Sequence, residues 1–253
     1  MTTHPHSPAT PSDPRAWLAA AAIDPAVHDL RPDYRALLLT ADGLRGGPSD
    51  EASERLLAAA EVTARQSLAG QPPEQLPQVA AWREAYRSFG AKPQRTRPSV
   101  EALLRRLDPD GLPRIDRITD VYNAVSIAHL LPIGGEDRDA YAGPARLVRA
   151  VGDEAFDTTA GGEHVVEQPD AGEVVWRDGV GVTCRRWNWR QGVRTRITTG
   201  TTDAVFVLDA LDPLTDDAVA AAADALTAGL TALSPDVVVH RRLLSPADAV
   251  HRR

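Results

Sequence analysis

The residues best suited to ligand chemistry in this sequence lie on a predicted helix over residues 116–130. The helical repeat places Asp116, Asp120 and Asn123 on one polar face and apolar side chains on another. A carboxamide donates and accepts hydrogen bonds at once, so Asn123 could hold an amino or a carbonyl group in a pocket. An asparagine that only covers a helix surface or clamps a loop would give the same pattern, and both alternatives stay open at this point.

Two arginine-rich segments could bind an anion near this helix. Residues 83–117 hold nine Lys and Arg against five Asp and Glu, and residues 185–196 hold five Arg and no acid. Local fields can therefore be positive although the net charge of the chain is -7. Ordinary solvated arginines are the alternative, because Lys92 is the only lysine and arginine is used everywhere else.

Other classes of catalytic site find little support in the sequence. The single cysteine, Cys184, excludes an internal disulfide and is expected to be a small buried side chain. No CxxC or HExxH motif offers the spacing of metal ligands, so neither a metal nor a cofactor is predicted. Ser126 and His129, three residues apart, could imitate a nucleophile and its base, but no carboxylate stands at a spacing that would orient the histidine.

The start of the chain predicts a tail and no membrane segment. No apolar run approaches the roughly 18 residues that would span a bilayer. Residues 1–14 lack the cationic start and apolar stretch of a signal peptide, and they carry Pro, Ser, Thr and His with almost no apolar periodicity. We therefore expect a disordered tail over residues 1–14, order from about Ala16, and a soluble, cytoplasmic protein.

The first half of the chain predicts one buried strand followed by helices. Residues 34–41 are short and apolar, as in a buried strand. Helices are predicted over residues 49–68, over residues 77–90 with an apolar stripe that includes Trp82, and from a capping Ser99. In this third helix Arg105 and Arg106 are expected to face outward, and residues 108–111 are expected to end it. The proline-rich break before Pro77 divides the chain into an N-terminal α/β extension, residues 15–76, and a larger domain, residues 77–245. An extended, cationic loop is expected between Gly90 and Ser99.

The second half predicts short strands. Gly134 and Gly135 are interpreted as a turn after the helix that carries Asn123. Thr215 begins a last, alanine-rich helix. The predicted strands are residues 145–151, 173–178, 180–184, 193–197, 203–210 and 236–240. This order of elements predicts an α+β domain with layered sheets.

The run RIDRITDVYNAVSIAHLLPIGGEDRDAY, followed by LVRAVGDEAFDT and EVVWRD, resembles the B3/B4 domain of the phenylalanyl-tRNA synthetase beta subunit. The matching positions are Thr119, Asp120, Asn123, Pro132, Arg149, Ala150 and Glu154. Residues 16–240 are more similar still to the free-standing B3/4 proteins of bacteria, whose YRxFG, KP, R.S.EALLRR and RxWNxRQ blocks recur here. The resemblance implies a three-layer β/β/α fold and, in the synthetase, hydrolysis of tyrosine wrongly attached to the tRNA acceptor end.

The resemblance also implies site residues. Asn123 matches the site asparagine of the family, whereas Gly134 stands where the synthetase has a histidine. The WNWRQG stretch corresponds to the loop with the site glutamate of the synthetase, so Arg190 and Gln191 replace an acid, and tyrosine specificity is not carried over. We therefore expect Asn123, Arg190 and Gln191 as catalytic residues. The other expected pocket residues are Asp120, Gly134, Trp187, Asn188 and Thr201.

Two local alternatives accompany these residues. Arg190 could bind a carboxylate, phosphate or amide of a ligand, or it could pair with Asp120 or another buried acid and only hold the domain together. Trp187 and Trp189 are expected to alternate on a strand, with one in the core and the other free to stack on a base or ribose.

Three functions fit these expectations. The first is an editing-type hydrolase that acts in trans on a mischarged aminoacyl-tRNA, with partners in the tRNA acceptor end and an amino acid or derivative. The second is a non-catalytic RNA- or amino-acid-binding module, which Gly134 in place of histidine favours. The third, an enzyme acting on a small amino-acid derivative, would suit the net acidity. In the first, the acceptor phosphates are expected at Arg87, Lys92, Arg95 and Arg97.

Overall fold

A computed structural model describes residues 13–107 and 111–247. Residues 1–12 of the predicted tail lie outside this range, as do residues 108–110, which were expected to end the helix after Ser99. Residues 13 and 14, also counted in the predicted tail, are part of an ordered helix start, because Asp13 caps a helix that begins at Pro14. The helices are α1 (Pro14–Ala20), α2 (Pro25–Leu30), α3 (Glu51–Leu68), α4 (Pro77–Ser88), α5 (Ser99–Leu104), α6 (Arg117–His129) and α7 (Asp216–Leu233).

The strands of the described chain form two main sheets and a separate hairpin. A four-stranded sheet has the order β11-β2-β10-β3, a five-stranded sheet has the order β1-β4-β7-β8-β9, and β5 pairs with β6. The strands are β1 (Ala22–Ile23), β2 (Arg35–Asp42), β3 (Ile133–Asp137), β4 (Arg146–Arg149), β5 (Phe156–Ala160), β6 (Glu163–Glu167), β7 (Val174–Arg177), β8 (Val182–Arg185), β9 (Arg190–Gln191), β10 (Asp203–Ala210) and β11 (Val238–Leu244).

Helices cover one face of the four-stranded sheet. Because side chains alternate along a strand, Phe206 and Leu208 of β10 project to this face. They pack with Ile118 and Val121 of α6 and with Leu226 of α7 in one buried cluster. The helices α3 and α6 also contact each other closely.

The five-stranded sheet packs against the other face of the four-stranded sheet. Val205 and Val207 of β10 project to this side and share a core with Trp176 of β7 and with Trp82 of α4. Trp187 joins this core, with its ring centroid 5.5 Å from that of Trp82 in an edge-on arrangement. Two sheets and a helical layer therefore form the predicted three-layer β/β/α, α+β fold.

The segment predicted as an N-terminal extension contributes an inner strand to this fold. β2 pairs antiparallel with β10 on one side and with β11 on the other. Its burial is complete from Ala36 to Ala41, as the apolar sequence predicts. The division of the chain at residue 76 stays a prediction, since the sheet includes strands from both sides of it.

Helix starts agree well with the sequence, with one exception. Asp50, Asp116 and Thr215 accept hydrogen bonds from main-chain N–H groups in the first turns of α3, α6 and α7. Ser99 was expected to cap α5, but it is the first helical residue after Pro98, and its hydroxyl makes no capping bond.

Three local predictions are wrong. Gly134 and Gly135 lie in β3, where they pair with β10, instead of forming a turn. Residues 193–197 do not form a strand: residues 193–195 form a bend and a turn, where the Arg194 guanidinium is held by Asp178 and by the Ala140 carbonyl, and Arg196 makes an isolated bridge to Glu136. The last strand starts at Val238 and continues to residue 244, later than the predicted 236–240. The elements α1, β1, α2, β5 and β6 were not anticipated.

Candidate functional site

A small pocket opens between the two sheets at the edge formed by β3 and β10. The antiparallel register pairs Val207 with Gly134 and Val205 with Glu136, so these residues face the same side of the sheet. Asp209, two residues after Val207, projects to that side as well. We call this cavity of about 80 Å³ the inner pocket.

The five-stranded sheet forms the opposite wall of the inner pocket. Trp176 pairs with Cys184 across β7 and β8, and Cys184 pairs with Gln191 across β8 and β9. Residues paired in this way project to one face of a sheet, so the three side chains form a row that lines the pocket. Gln191 Nε2 donates a hydrogen bond to the Gly135 carbonyl over 2.8 Å, which joins the two sheets at this edge.

Two buried acids lie on the four-stranded side of the inner pocket. Glu136 and Asp209 are only 3% and 1% exposed. Burial raises the pKa of Glu136 to about 7, although hydrogen bonds from side chains such as Tyr141 and Gln191 favour its ionised form. Burial likewise raises the pKa of Asp209 to about 7, opposed by hydrogen bonds from Tyr34 and Asn188. Near neutral pH each carboxyl can therefore take up or release a proton.

A chain of neutral hydrogen bonds fixes Asp209. The Tyr34 hydroxyl donates to one carboxylate oxygen over 2.5 Å, and the Asn188 amide donates to the other over 3.3 Å. Asn188 in turn accepts a hydrogen bond from the Tyr86 hydroxyl over 2.9 Å. Glu136 is held in a similar way, by the Tyr141 hydroxyl. Both acids thus have defined positions without a cationic partner among residues 13–107 and 111–247.

The WNWRQG segment reaches the pocket through a tight turn, not through the predicted alternating strand. Arg186 and Trp187 both have positive φ angles, 47° and 68°, which are unfavourable for residues with side chains. This conformation buries Trp187 completely in the core and leaves Trp189 only partly buried. The Arg186 guanidinium lies 4.5 Å from the Trp189 ring centroid, so it covers one face of that ring.

The inner pocket adjoins a larger open groove of about 430 Å³, which we call the arginine groove. Ser99, Ile133, Trp189 and Gln191 line both cavities. The arginines that line the groove are Arg95, Arg97, Arg105 and Arg106.

The charges of the arginine groove are only partly neutralised. Arg97 and Arg105 both pair with the buried carboxylate of Glu101, at 3.6 and 3.0 Å. Neither Arg95 nor Arg106 forms an ion pair with an acid in the described part of the chain. The groove therefore presents positive charge to a ligand.

The three expected catalytic residues all line one or both of these adjoining cavities. Asn123 lines the arginine groove, Gln191 lines both cavities and Arg190 lines the inner pocket. Arg190 does not pair with Asp120 or with another described acid, so that alternative is wrong. Its guanidinium instead donates to the Thr159 carbonyl of β5 over 2.9 Å.

The other expected pocket residues fall into two groups. Gly134, Trp187 and Asn188 line the inner pocket. Asp120 lies elsewhere, because its carboxylate accepts hydrogen bonds from Ser53 and from the main chain before α6. Thr201 also lies outside both cavities, where its hydroxyl donates to Asp137 over 2.8 Å.

The four cations expected to contact RNA are spread over a wider surface. Arg95 and Arg97 line the arginine groove, whereas Lys92 lines a second groove, also with Arg95. Arg87 is exposed outside both grooves. The loop that carries Lys92 and Arg95 is a compact turn and not the extended segment expected, because the Arg95 and Thr96 N–H groups both donate to the Lys92 carbonyl.

Several residues of the site escaped the sequence analysis. The acid of the synthetase loop was expected to be replaced by Arg190 and Gln191, yet Glu136 and Asp209 bring two acids to the pocket from other strands. An aspartate at the end of the apolar run VFVLDA was the available signal for Asp209. Arg106 was expected only to face outward, and it does so into the groove.

The Ser126 and His129 alternative finds no support in the geometry. Ser126 is fully buried, and its hydroxyl donates to the Leu131 carbonyl over 2.7 Å. Neither residue lines the inner pocket or the arginine groove. Cys184 is buried as expected, and burial raises the pKa of its thiol well above the ordinary value.

In residues 13–107 and 111–247, no three His, Cys, Asp or Glu side chains are grouped as ligands of a metal ion. None of the helices in the same ranges is both long and apolar enough to cross a membrane.

Comparison with known proteins was made at the level of families, curated proteins and solved structures. An N-terminal fragment of the phenylalanyl-tRNA synthetase beta-subunit from Pyrococcus horikoshii is similar in structure, with 14% sequence identity and a TM-score of 0.44. The match covers 88% of this chain and 50% of that one, so the chain spans half the length of the fragment. No curated protein matches the sequence. The model of the B3/4 domain family matches residues 81–230, and the chain belongs to that family.

Proposed function

We propose that the protein is an editing-type hydrolase that removes the amino acid from a mischarged aminoacyl-tRNA in trans. The observation that carries this proposal is that the small inner pocket, with its two buried acids, adjoins the arginine groove and shares four lining residues with it. The end of an aminoacyl-tRNA has a matching chemistry, since a compact acyl group is esterified to a ribose that continues into phosphates. The acyl group would occupy the inner pocket and the phosphates would follow the groove.

Arg95 and Arg106 are the best candidates for phosphate contacts. Both line the arginine groove, and neither is engaged by an acid in the described part of the chain. An arginine can bind a phosphate through two parallel hydrogen bonds. Arg97 and Arg105 are oriented by Glu101 and would add to the positive field. Lys92 and Arg87 would contact RNA only where it extends beyond the groove.

The ester itself requires little chemistry, because it is already activated. The protein has to orient the acyl group, donate hydrogen bonds to the carbonyl oxygen and position a water. Asn123 is well suited to this task, since its amide makes no hydrogen bond to another described side chain and lies in the groove wall. Gln191 stands where the two cavities meet and Arg190 lies at the inner pocket, so both can contact the ester region.

Trp189 offers a surface for the terminal nucleotide. It lines both cavities and is partly buried, and Arg186 covers one face of its ring. Aromatic rings in nucleic-acid sites commonly stack on a base or ribose. We therefore assign the terminal base or ribose to Trp189, at the boundary between the acyl pocket and the phosphate groove.

A non-catalytic module that binds RNA or an amino acid is the second candidate. Gly134 stands at the inner pocket, and neither cavity has a histidine among its lining residues. Water positioning would then fall to amide, guanidinium and carboxyl groups alone. This feature favours binding without turnover.

The proposal is tested with a panel of mischarged aminoacyl-tRNAs and the purified protein. Loss of the ester is measured over time, and tRNA affinity is measured at increasing salt concentration. We expect hydrolysis of some members of the panel above the rate in buffer. Salt-dependent binding without hydrolysis would favour the binding module, and absence of both would exclude the two RNA functions and leave an enzyme of small amino-acid derivatives.

A further inference from the structure

Buried acids in this protein normally receive an arginine or a main-chain N–H group. Glu101 pairs with Arg83 at 2.7 Å, and Asp178 pairs with Arg194 at 2.9 Å. Asp116 and Asp120 pair with no arginine in the described part of the chain but accept main-chain N–H groups beside the start of α6. The remaining buried acids, Glu61, Glu154 and Glu173, receive both kinds of partner.

Glu136 and Asp209 depart from this rule. Within the described residues neither forms an ion pair, and their hydrogen bonds come from neutral side chains such as Tyr141 and Tyr34. An ionised carboxylate without a counter-charge is costly in a buried site. Both line the same small cavity, so a cation of suitable size could neutralise either or both.

Two buried hydrogen-bond donors line the same cavity. The indole nitrogens of Trp176 and Trp187 make no well-formed hydrogen bond in the described structure, although Trp176 lies close enough to Asp209, and Trp187 close enough to Tyr34, to oppose the raised pKa of that neighbour. Their residues are 2% and 0% exposed. A buried N–H without an acceptor carries a cost, which an oxygen atom of a ligand would remove. The donors lie beside the acids, so the complementary ligand has a positive group with an oxygen near it.

We propose that the inner pocket binds a compact primary ammonium group that carries a neighbouring oxygen acceptor, with Glu136 and Asp209 as the anionic side and Trp176 and Trp187 as the donors. This assignment rests on the proposed function at one point: the proposed function identifies the larger molecule that carries the amine. A cavity of about 80 Å³ holds a small amine but not an aromatic side chain in addition. The preferred ligand is therefore a small, amine-bearing acyl group or amino alcohol.

Proton exchange with the ligand gives the site a pH dependence. The ammonium group binds the ionised carboxylates, whose pKa values of about 7 fall when the cation arrives. Affinity for an amine should thus rise between about pH 6 and pH 8, a range in which an aliphatic amine keeps its proton. The other titratable or charged groups that face the two acids are Tyr34, Tyr86, Tyr141, Cys184 and Arg190.

The experiment uses alaninol, an inert amino alcohol, and 1,2-propanediol, its neutral analogue of similar size. Binding to the full chain is followed through the indole N–H signals in a two-dimensional ¹H–¹⁵N NMR spectrum. The signals of Trp176 and Trp187 are assigned with the variants Trp176→Phe and Trp187→Phe. We expect alaninol to shift both signals saturably and to bind at least about tenfold more tightly than the diol.

Variants and pH sharpen the test. Glu136→Gln and Asp209→Asn should each weaken alaninol binding at least about tenfold, whereas Asp170→Asn, an exposed acid outside the inner pocket, should leave it unchanged. Unchanged binding in both pocket variants, equal binding of the diol, or absence of saturable shifts overturns the proposal. If the variants do not fold, the unmodified protein decides the question, because an affinity that stays flat from pH 6 to 8 also overturns it.

A separate comparison keeps this proposal distinct from the proposed function. An aminoacyl-tRNA and its N-acetylated form differ in the positive charge of the amine. Equal hydrolysis of the two would uphold the hydrolase and overturn the ammonium site. Alaninol binding without hydrolysis of any aminoacyl-tRNA would uphold the ammonium site and overturn the hydrolase.

Discussion

The Tyr34 hydroxyl donates a hydrogen bond to the Asp209 carboxylate over 2.5 Å, and both side chains are buried. Tyr34 immediately precedes β2, whose Ala36 pairs with Asp209 of β10. Burial and the charge of Asp209 raise the pKa of Tyr34 well above its ordinary value, so the hydroxyl keeps its proton. This hydrogen bond therefore ties the buried ring of Tyr34 to an acid of the inner pocket.

Replacing Tyr34 by Phe should destabilise the protein more than replacing Tyr86 by Phe. Tyr34→Phe removes the donor to one carboxylate oxygen of Asp209 and leaves only the longer bond from Asn188, for an expected loss of about 1.5–3 kcal/mol in the free energy of unfolding. Tyr86→Phe removes a hydrogen bond to the neutral amide of Asn188 and should cost about 0.5–1.5 kcal/mol. Urea denaturation of both variants measures the difference. Equal losses would mean that Asp209 does not depend on Tyr34.

Stability should fall as the pH rises toward 7, because of Glu136 and Asp209. Their folded pKa values of about 7 lie above the ordinary values near about 4. The folded state therefore holds protons that the unfolded state has lost, and each carboxyl lowers the free energy of unfolding by about 1.4 kcal/mol per pH unit between about pH 5 and pH 7.

The test of this pH effect is a comparison of variants. Denaturation of Glu136→Gln and Asp209→Asn at pH 5, 6 and 7 should show a shallower decline than the unmodified protein. Burial lowers the pKa of His129, so this residue makes the free energy of unfolding rise with pH, opposite to the two acids. The contribution of His129 is the same in all three proteins. Parallel pH curves would contradict the assignment.

Local patterns in the sequence are enough to predict most of the layers. Apolar runs identify β2 and β10, and capping residues such as Asp50 and Asp116 mark the helix starts, since both signals depend on near neighbours. Short elements with few buried side chains, such as β5 and β6, give no comparable signal.

The candidate site is harder to predict because strands distant in sequence form it. Glu136 becomes a pocket residue only when β3 pairs with β10, and Gln191 reaches it only across the second sheet. The turn at Arg186 and Trp187 depends on a hydrogen bond from the Arg186 N–H to Glu173. The resemblance to the B3/4 family identified Gln191 and Gly134 as residues of interest, but the two acids required the register of the strands.

Gly134 and Gly135 offer a matched pair, because they face opposite sides of one strand. A methyl group at Gly134 would lie 3.1 Å from Gln191 Nε2, a flexible side chain, so Gly134→Ala should cost less than about 1 kcal/mol and reduce ligand affinity. A methyl group at Gly135 would lie 2.8 Å from both Tyr122 and Ile197, so Gly135→Ala should cost about 1–3 kcal/mol. Thermal denaturation and ligand titration check both, and similar stability losses would contradict the different surroundings.

Arg95 and Arg106 should dominate the salt dependence of tRNA binding. Each phosphate that an arginine neutralises makes the plot of log affinity against log salt concentration steeper by about 0.7–0.9. Loss of one such contact in Arg95→Gln or in Arg106→Gln should therefore flatten the plot by that amount. Arg146→Gln is the control, because Arg146 is an exposed arginine of β4 outside both grooves. Filter binding at several salt concentrations gives the slopes. Equal slopes in all three variants would place the RNA elsewhere.

Asn123 and Arg190 should differ in what their loss does to the protein. Asn123→Ala removes a groove amide that no described side chain engages, so hydrolysis should fall about 100-fold while the melting temperature stays nearly unchanged.

Arg190→Ala should also reduce activity, but it removes the contact with Thr159 and should speed amide hydrogen exchange in residues 156–167. The control, Arg196→Ala, removes an exposed arginine from the same segment and should change neither activity nor exchange. Unfolding of either variant would assign its residue to stability, and unchanged exchange in Arg190→Ala would show that the hairpin does not depend on this contact.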